Sequence, residues 1–207
     1  MNPLEEINID KELELINQQV ESYPLTKKEF KKHFVEKTKE LNLTHTFNVD
    51  EAYEIGQELV RRQTFRDKIV DFEKKLLKNP RALSKKEIHL TNPVKHSFAD
   101  GCYIREIFNP AGELIITKIH KKEHPFFLLE GKMSILTEDG VKHLEAPYHG
   151  ITKPGTKRII YTHTNCVFVT VHATEKKDIK EIEKDVIADN FNDPAISIEE
   201  LKILTKK

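Results

Sequence analysis

Glycine is distributed unevenly along this chain of 207 residues, and its distribution limits the folds that the chain can adopt. Six of the seven glycines lie within positions 101–155, and Gly56 is the only one among the first 100 residues. Glycine is favoured where the backbone turns with a positive φ, and glycines about ten residues apart are typical of short strands joined by tight turns. The chain is therefore predicted to have a helical first part and a β-rich second part.

The second part has the composition and the turn pattern of many short strands. Asp139-Gly140 is one of the dipeptides that favour the tight turn of a hairpin. Segments rich in β-branched residues predict further strands, among them 149–153, 157–161 and 167–173. About eight strands within some 75 residues are too many for one open sheet, so a sandwich or a closed barrel is expected.

The first part has the apolar spacing of amphipathic helices. Thr26 followed by Glu29 is a capping-box pattern before an apolar stripe with a lysine-rich opposite face. Helices are predicted over about 27–42 and 50–78, with a shorter one at Leu13, Ile16 and Val20, a C-terminal one over 178–188 and a short final one over 197–204. Such helices must bury their stripes on one another, on the β part or on a second chain.

The charge balance gives no support to a nucleic-acid or membrane partner. Lys plus Arg and Asp plus Glu both number 34, and the balance also holds on each side of Leu90. The lysines of 27–42 alternate with glutamates, which favours a solvated surface. No apolar run approaches 18 residues and no leader pattern is present, so a soluble, cytoplasmic protein is expected.

Several enzyme classes lack their motifs here. The chain has no G-x-S-x-G, no glycine-rich phosphate loop and no G-x-G-x-x-G. Cys102 and Cys166 are too few and too far apart for a zinc finger or a disulfide scaffold, and are expected to be free thiols.

Histidine is concentrated in the β part, which contains seven of the ten. His120 and His124 are expected at the ends of adjacent strands joined by a short charged link, so their rings could converge inside a barrel on one ion or ligand. Pro125 and the preceding β-branched residues disfavour a helix at this point.

The segment around these histidines resembles the first motif of the cupins. Counted back from Gly131, His124 stands where cupins usually have Glu, His120 at the second His and Lys118 at the first. The run 153–158 is similar to the second motif, with Arg158 at the metal-ligand position. Residues 88–192 resemble uncharacterised cupin-like proteins of tailed bacteriophages and prophages still more closely.

This resemblance implies an α+β protein with a cupin-like β-barrel, or jelly roll. We expect an N-terminal helical region over 1–90, the barrel over 91–174 and a C-terminal helical segment over 175–207 that packs on the barrel. Because cupins commonly pair through their sheets, a homodimer is also expected.

Three interpretations of the barrel interior remain open. In the first, His120 and His124 bind a divalent Fe, Mn, Ni or Zn ion with a third ligand from His149, His163, His172 or Glu130. In the second, no ion is bound and the pocket takes an anionic small molecule. The candidate ligand-binding residues are Lys118, Arg158, Tyr161 and His163. In the third, the barrel is purely structural.

The expected function is the binding of a small ligand, a divalent metal or both inside the barrel of a phage-type protein. One alternative is a metal-dependent isomerase or dioxygenase acting on an acidic small molecule, with Arg158 holding the substrate. The other is a non-catalytic interaction protein whose helices serve a homodimer or a host target.

Overall fold

The computed structural model describes residues 13–14, 25–40 and 48–196. Four helices lie within residues 25–40 and 48–196: α1 (Lys27–Glu40), α2 (Val49–Leu77), α3 (Lys85–Thr91) and α4 (Ile179–Val186). The helices predicted over 27–42, 50–78 and 178–188 are confirmed with small changes in their ends. The predicted first helix, apart from residues 13–14, and the predicted helix over 197–204 lie outside the described residues.

Side-chain caps explain where these helices begin. Thr26 and Glu29 form the predicted reciprocal pair, with the Glu29 amide donating to Thr26 Oγ1 at 3.3 Å and the Thr26 amide donating to Glu29 Oε2 at 2.9 Å. The side chain of Asn48 accepts from the first amides of α2. None of the described helices is both long and apolar enough to cross a membrane.

Eleven strands follow in the described part of the chain. They are β1 (Val94–Ala99), β2 (Cys102–Asn109), β3 (Leu114–Ile116), β4 (Ile119–His120), β5 (His124–Glu130), β6 (Lys132–Thr137), β7 (Gly140–Glu145), β8 (Tyr148–Thr152), β9 (Ile159–Thr162), β10 (Cys166–Ala173) and β11 (Ile187–Ala188). All pairings are antiparallel. They form a five-stranded sheet in the order β1-β2-β10-β5-β8, a four-stranded sheet in the order β3-β9-β6-β7, and the pair β11-β4.

The inner faces of the two larger sheets enclose the main core. Because successive side chains of a strand point to opposite faces of its sheet, every second residue of these strands points into this core. The apolar members are Phe126, Leu128, Met133, Ile135, Leu144, Ile160, Cys166 and Phe168. This arrangement of crossing antiparallel strands with added helices confirms the predicted α+β, cupin-like barrel.

Helix α2 covers the outer face of the four-stranded sheet. Its Phe65 and Ile69 are buried against Leu136 and Ile159, whose neighbours Ile135 and Ile160 point to the inner face instead. The central part of the apolar stripe predicted for this helix is therefore buried on the barrel of the same chain, whereas Leu59, nearer its start, is 42% exposed. Helix α4 lies elsewhere, where Ile182 and Val186 pack with Tyr103. The three-part division at residues 90 and 174 stays a prediction.

Buried ion pairs fix α2 to the β6–β7 turn. Glu138 is 5% exposed, and its carboxylate lies 3.2 Å from Nη1 of Arg62 and 4.0 Å from Nη2 of Arg66. Arg61 lies 3.7 Å from the carboxylate of Asp139 in the same turn. Since buried charges require partners, the turn and the helix hold each other in place.

Replacing Ile69 by Ala tests this packing. Ile69 is fully buried, so the lost contacts and the remaining cavity should lower the free energy of unfolding by about 2–5 kcal/mol. Urea denaturation followed by circular dichroism measures the change. Leu77→Ala is the matched control, because Leu77 is 73% exposed and its loss should cost less than about 0.5 kcal/mol. Equal effects of the two variants would contradict the docking of α2.

Candidate functional site

One end of the barrel interior is polar, and its side chains come from the inner face of the five-stranded sheet. His172 of β10 pairs in register with Tyr103 of β2, and His124 of β5 pairs with Thr152 of β8. His124 and His172 are only 3% and 4% exposed. These positions share the parity of the apolar core residues on the same strands, and this parity places them inside.

His120 reaches this end from the short strand β4. Its amide donates to the carbonyl of Thr156 at 3.2 Å, and its carbonyl accepts from the amide of Gly155 at 2.7 Å. The ring centroid of His120 lies 4.4 Å from that of His124 and 6.0 Å from that of His172, and the latter two are 4.3 Å apart. The structure thus brings together the two imidazoles that the sequence predicts to converge, and adds a third.

The three imidazoles are neutral near pH 7. Burial, together with the neighbouring imidazole and guanidinium charges, lowers the pKa of His120 to about 2. Burial is also the main cause that lowers the pKa values of His124 and His172 to about 4 each. The physical reason is that a charged imidazolium loses its hydration in this position, where cations rather than carboxylates surround it.

Arg158 lies beside the histidines and is 6% exposed. Its guanidinium stacks on the ring of Phe126, with Cζ 4.6 Å from the ring centroid, and its Nη2 donates to the hydroxyl of Thr152. Burial lowers the pKa of Arg158 to about 10, so the group stays charged at neutral pH. No carboxylate forms an ion pair with it within residues 25–40 and 48–196.

Gly150 makes room for this stacked pair. A Cβ atom on Gly150 would lie 2.7 Å from Cζ and 2.8 Å from Cε1 of Phe126, closer than real contacts allow. In the β5–β8 register Gly150 lies directly opposite Phe126. The missing side chain therefore lets the aromatic ring lie over β8, where it carries the guanidinium of Arg158.

A cavity opens beside Arg158 between the edge strands of the two sheets. β8 ends the five-stranded sheet and β7 ends the four-stranded sheet, so neither pairs with a further strand of the described residues at this edge. The cavity has a volume of about 110 Å³. Its inner walls include Phe126, Leu144, Tyr148, Gly150, Thr156 and Arg158. We call this opening the β7–β8 slot.

A second arginine lies at the polar end. Arg105 is two residues from Tyr103 on β2 and pairs with Thr170 of β10, which places it on the inner face. Its charge lowers the pKa values of both His120 and His172, and burial is the main cause that lowers its own. The polar end therefore combines three neutral imidazoles with two guanidinium groups.

Three of the predicted ligand-binding residues lie away from this interior. Lys118 is 64% exposed on its side chain, with Nζ 3.8 Å from the carboxylate of Glu183. Tyr161 and His163 lie on the outer side of the four-stranded sheet, where Nε2 of His163 is 2.7 Å from the hydroxyl of Ser134. Of the predicted ligand-binding residues, only Arg158 lies at the polar end. There it lies beside His120 and His124, the predicted metal ligands.

The polar end does not fit a divalent metal ion. The described ranges contain no group of three or more His, Cys, Asp or Glu side chains arranged to hold one. Among the described residues no carboxylate or thiolate joins the imidazoles, and two guanidinium charges oppose a further cation. The predicted Fe, Mn, Ni or Zn site stays a prediction that this arrangement disfavours.

The sequence interpretation missed Arg105 and gave His172 only as one of several third ligands. Both could have been found by extending the strand alternation. Phe168, Thr170 and His172 share one parity on β10, and Arg105 shares the parity of Tyr103 and Ile107 on β2.

Comparison with known proteins shows similarity at the level of structure. No family model and no curated protein matches the sequence. An acetylacetone dioxygenase from Acinetobacter johnsonii matches with a TM-score of 0.35 and 19% identity, over 40% of this chain and 59% of that protein. An RmlC-like cupin from Shewanella frigidimarina matches with a TM-score of 0.37 and 13% identity, over 42% and 80%. Ectoine synthase from P. lautus matches with a TM-score of 0.40 and 11% identity, over 47% and 75%.

The buried histidines predict a loss of stability in mild acid. In the unfolded chain the three histidines have a pKa of about 6.5 and bind protons below that pH. In the folded chain burial keeps their pKa values at about 4 or lower, so they stay unprotonated and folding becomes less favourable as the pH falls. From pH 6.5 to 5 the free energy of unfolding should fall by up to about 1.4 kcal/mol per pH unit for each histidine. Urea denaturation at several pH values measures this slope.

Variants test whether the pH dependence of the free energy of unfolding comes from the three buried histidines. His172→Phe should reduce it by about one third, because one of three such protons is removed. The exposed His89 of α3 provides the control, and His89→Gln should leave the slope unchanged. A slope that stays the same in His172→Phe would contradict the neutral buried cluster.

The metal content of the protein tests the fit described above. Protein purified without a histidine tag or chelator should contain well below one equivalent of any transition metal by elemental analysis. A stoichiometric metal that is lost in His124→Ala and kept in His89→Ala would overturn this expectation.

Proposed function

We propose that the protein binds a small anionic molecule, of the carboxylate class, in the β7–β8 slot. The observation that carries this proposal is Arg158, a charged guanidinium that is 6% exposed, lines the slot and has no carboxylate partner in the described ranges. A buried charge without a partner is costly, and an anionic ligand would supply the missing charge.

The guanidinium is presented for recognition of an anion. The Phe126 ring contacts one face of the guanidinium, and the Thr152 hydroxyl accepts from one of its nitrogens, Nη2. These two contacts set its position. The planar fork of arginine matches a carboxylate in a two-point contact, and a fixed fork loses little freedom on binding. The hydroxyl of Tyr148, another slot residue, is a further polar group close to Arg158.

Charges around the slot entrance also favour an anion. Lys142 and Lys153 line the slot, while its two acidic residues, Glu138 and Asp139, face arginines of α2. The carboxylates are thus held by the helix, and the positive charges of the slot remain for a ligand. A volume of about 110 Å³, far below the roughly 300–1,000 Å³ of drug-sized sites, suits a ligand of a few heavy atoms.

This proposal concerns binding and leaves the reaction open. The predicted isomerase or dioxygenase activity would need a metal that the polar end does not fit. The phage origin, the cytoplasmic location and the homodimer remain predictions on which binding in the slot does not depend.

A titration with small anions tests the proposal. Acetate, propionate, lactate and inorganic phosphate are added to the protein and followed by NMR, with propionamide as the neutral comparator. Carboxylates should bind and propionamide should not. In Arg158→Met, which keeps a long apolar stem over Phe126, carboxylate binding should weaken by about 2 kcal/mol or more, which is at least about thirtyfold.

The control variant is Arg81→Met, because Arg81 is exposed and distant in sequence from the slot. It should bind carboxylates as the parent does, and thermal melts should show both variants folded. Unchanged affinity in a folded Arg158→Met protein, or no binding by any of the anions, would refute the proposal.

A further inference from the structure

A lysine occupies an inward position on the edge strand of the four-stranded sheet. Lys142 of β7 pairs in register with Ile135 of β6, a member of the main apolar core. Paired residues of neighbouring strands point to the same face of their sheet, so Lys142 lies on the inner face, two residues from the buried Leu144. A strand normally presents an apolar residue to the core at such a position. Lys142 instead lines the open slot, where its side chain is exposed.

The slot has positive charge at two depths. Arg158 is buried at its floor, whereas Lys142 and Lys153 are exposed at its entrance. Lys153 comes from the β8 side, directly after Thr152, whose hydroxyl accepts from Arg158. All three cations line the same cavity. A molecule that fills this cavity therefore contacts both its buried and its exposed cations.

The charges of the slot are not balanced by its own acidic residues. Glu138 and Asp139 face Arg62 and Arg61 of α2. Neither entrance lysine forms an ion pair with another residue of 25–40 or 48–196. A ligand with one carboxylate would balance Arg158 and leave the entrance positive.

Apolar side chains line the cavity together with these cations. Phe126 lies under the guanidinium, Ile135 lies opposite Lys142, and Leu144 and Ile151 complete the apolar wall. Such walls favour hydrocarbon in the middle of a ligand. A short hydrocarbon chain with a carboxylate at each end would match both the apolar walls and the two depths of positive charge.

Resting on the proposed function, we infer that the ligand of the slot is a small dicarboxylate. One carboxylate binds the guanidinium of Arg158, and the other binds Lys142 at the entrance, with Lys153 adding positive charge from the β8 side. Arg158 thereby gives affinity for any small acid, and the entrance lysines select acids with a second charge. Because exposed ion pairs are weak and screened by salt, this selection is moderate and decreases as the salt concentration rises.

Matched pairs of acids test this selection: succinate against succinamate, and glutarate against glutaramate. The members of a pair differ in one terminal group, which is a carboxylate in the first and a neutral amide in the second. NMR titration of the full chain at low salt should show the diacid binding about fivefold or more tightly than its amide. Lys142→Met alone should lower this ratio. Lys142→Met combined with Lys153→Met should bring it to about one while succinamate binds as before.

Lys86→Met is the control, because Lys86 is exposed on α3 and does not line the slot, and it should keep the ratio. A different role for Lys142 gives a different result. An inward charge on an edge strand discourages pairing with another chain. If this were its whole role, Lys142→Met would self-associate and keep the full preference for the diacid, and that result would overturn the inference.

A second measurement avoids any dependence on the folding of the variants. In the parent protein, the side-chain resonances of Lys142 and Lys153 should shift on adding succinate and change much less on adding succinamate. Equal binding of diacid and amide, with Arg158→Met weakening both, would overturn the selection of dicarboxylates and leave the anion site standing. Failure of every acid to bind would overturn both proposals.

Discussion

The absence of a side chain at Gly150 is the constraint on which the polar interior depends. Any larger residue would enter the space of the Phe126 ring, and that ring is the surface on which Arg158 lies. Displacement of the ring would therefore move the guanidinium, and with it the group that gives the slot its charge. One backbone position on an edge strand thus controls the electrostatics of the barrel interior.

The long helix contributes to the same site from outside the barrel. Its apolar residues cover the four-stranded sheet, and its arginines hold the acidic side chains of the β6–β7 turn. Without these pairs, two carboxylates at the slot would compete with a ligand for the buried guanidinium. Helix α2 therefore affects the proposed anion site as well as the stability of the barrel.

Much of the architecture could be predicted from the sequence because it depends on local rules. The glycine distribution indicated the strand region, the Thr26–Glu29 pattern indicated the start of α1, and apolar periodicity indicated α2. The spacing of the motifs indicated that His120 and His124 could converge and placed Arg158 at a metal-ligand position, but the direction of Arg158 stayed open until the structure placed it beside the histidines. These features need only the order of strands, which the motifs preserve.

The remainder depended on strand parity, which spacing alone does not determine. Tyr161 shares the parity of Ile159, which faces α2, so it lies outside, whereas Ile160 lies inside. Lys118 precedes a strand of only two residues and points to α4 rather than inward. For the four-stranded sheet, the face that meets the interior is set by helix α2, which covers the other face through long-range contacts that no local pattern contains.

The position of the slot between the edges of β7 and β8 affects how a small molecule would bind and be released. Where a loop closes over a binding site, it has to move aside before each exchange of ligand. Here the side seam between β7 and β8 already leads to Arg158, so arrival and departure need break no strand pairing. Residence time in such a pocket would be governed by the strength of the contacts at its floor instead of by the motion of a lid.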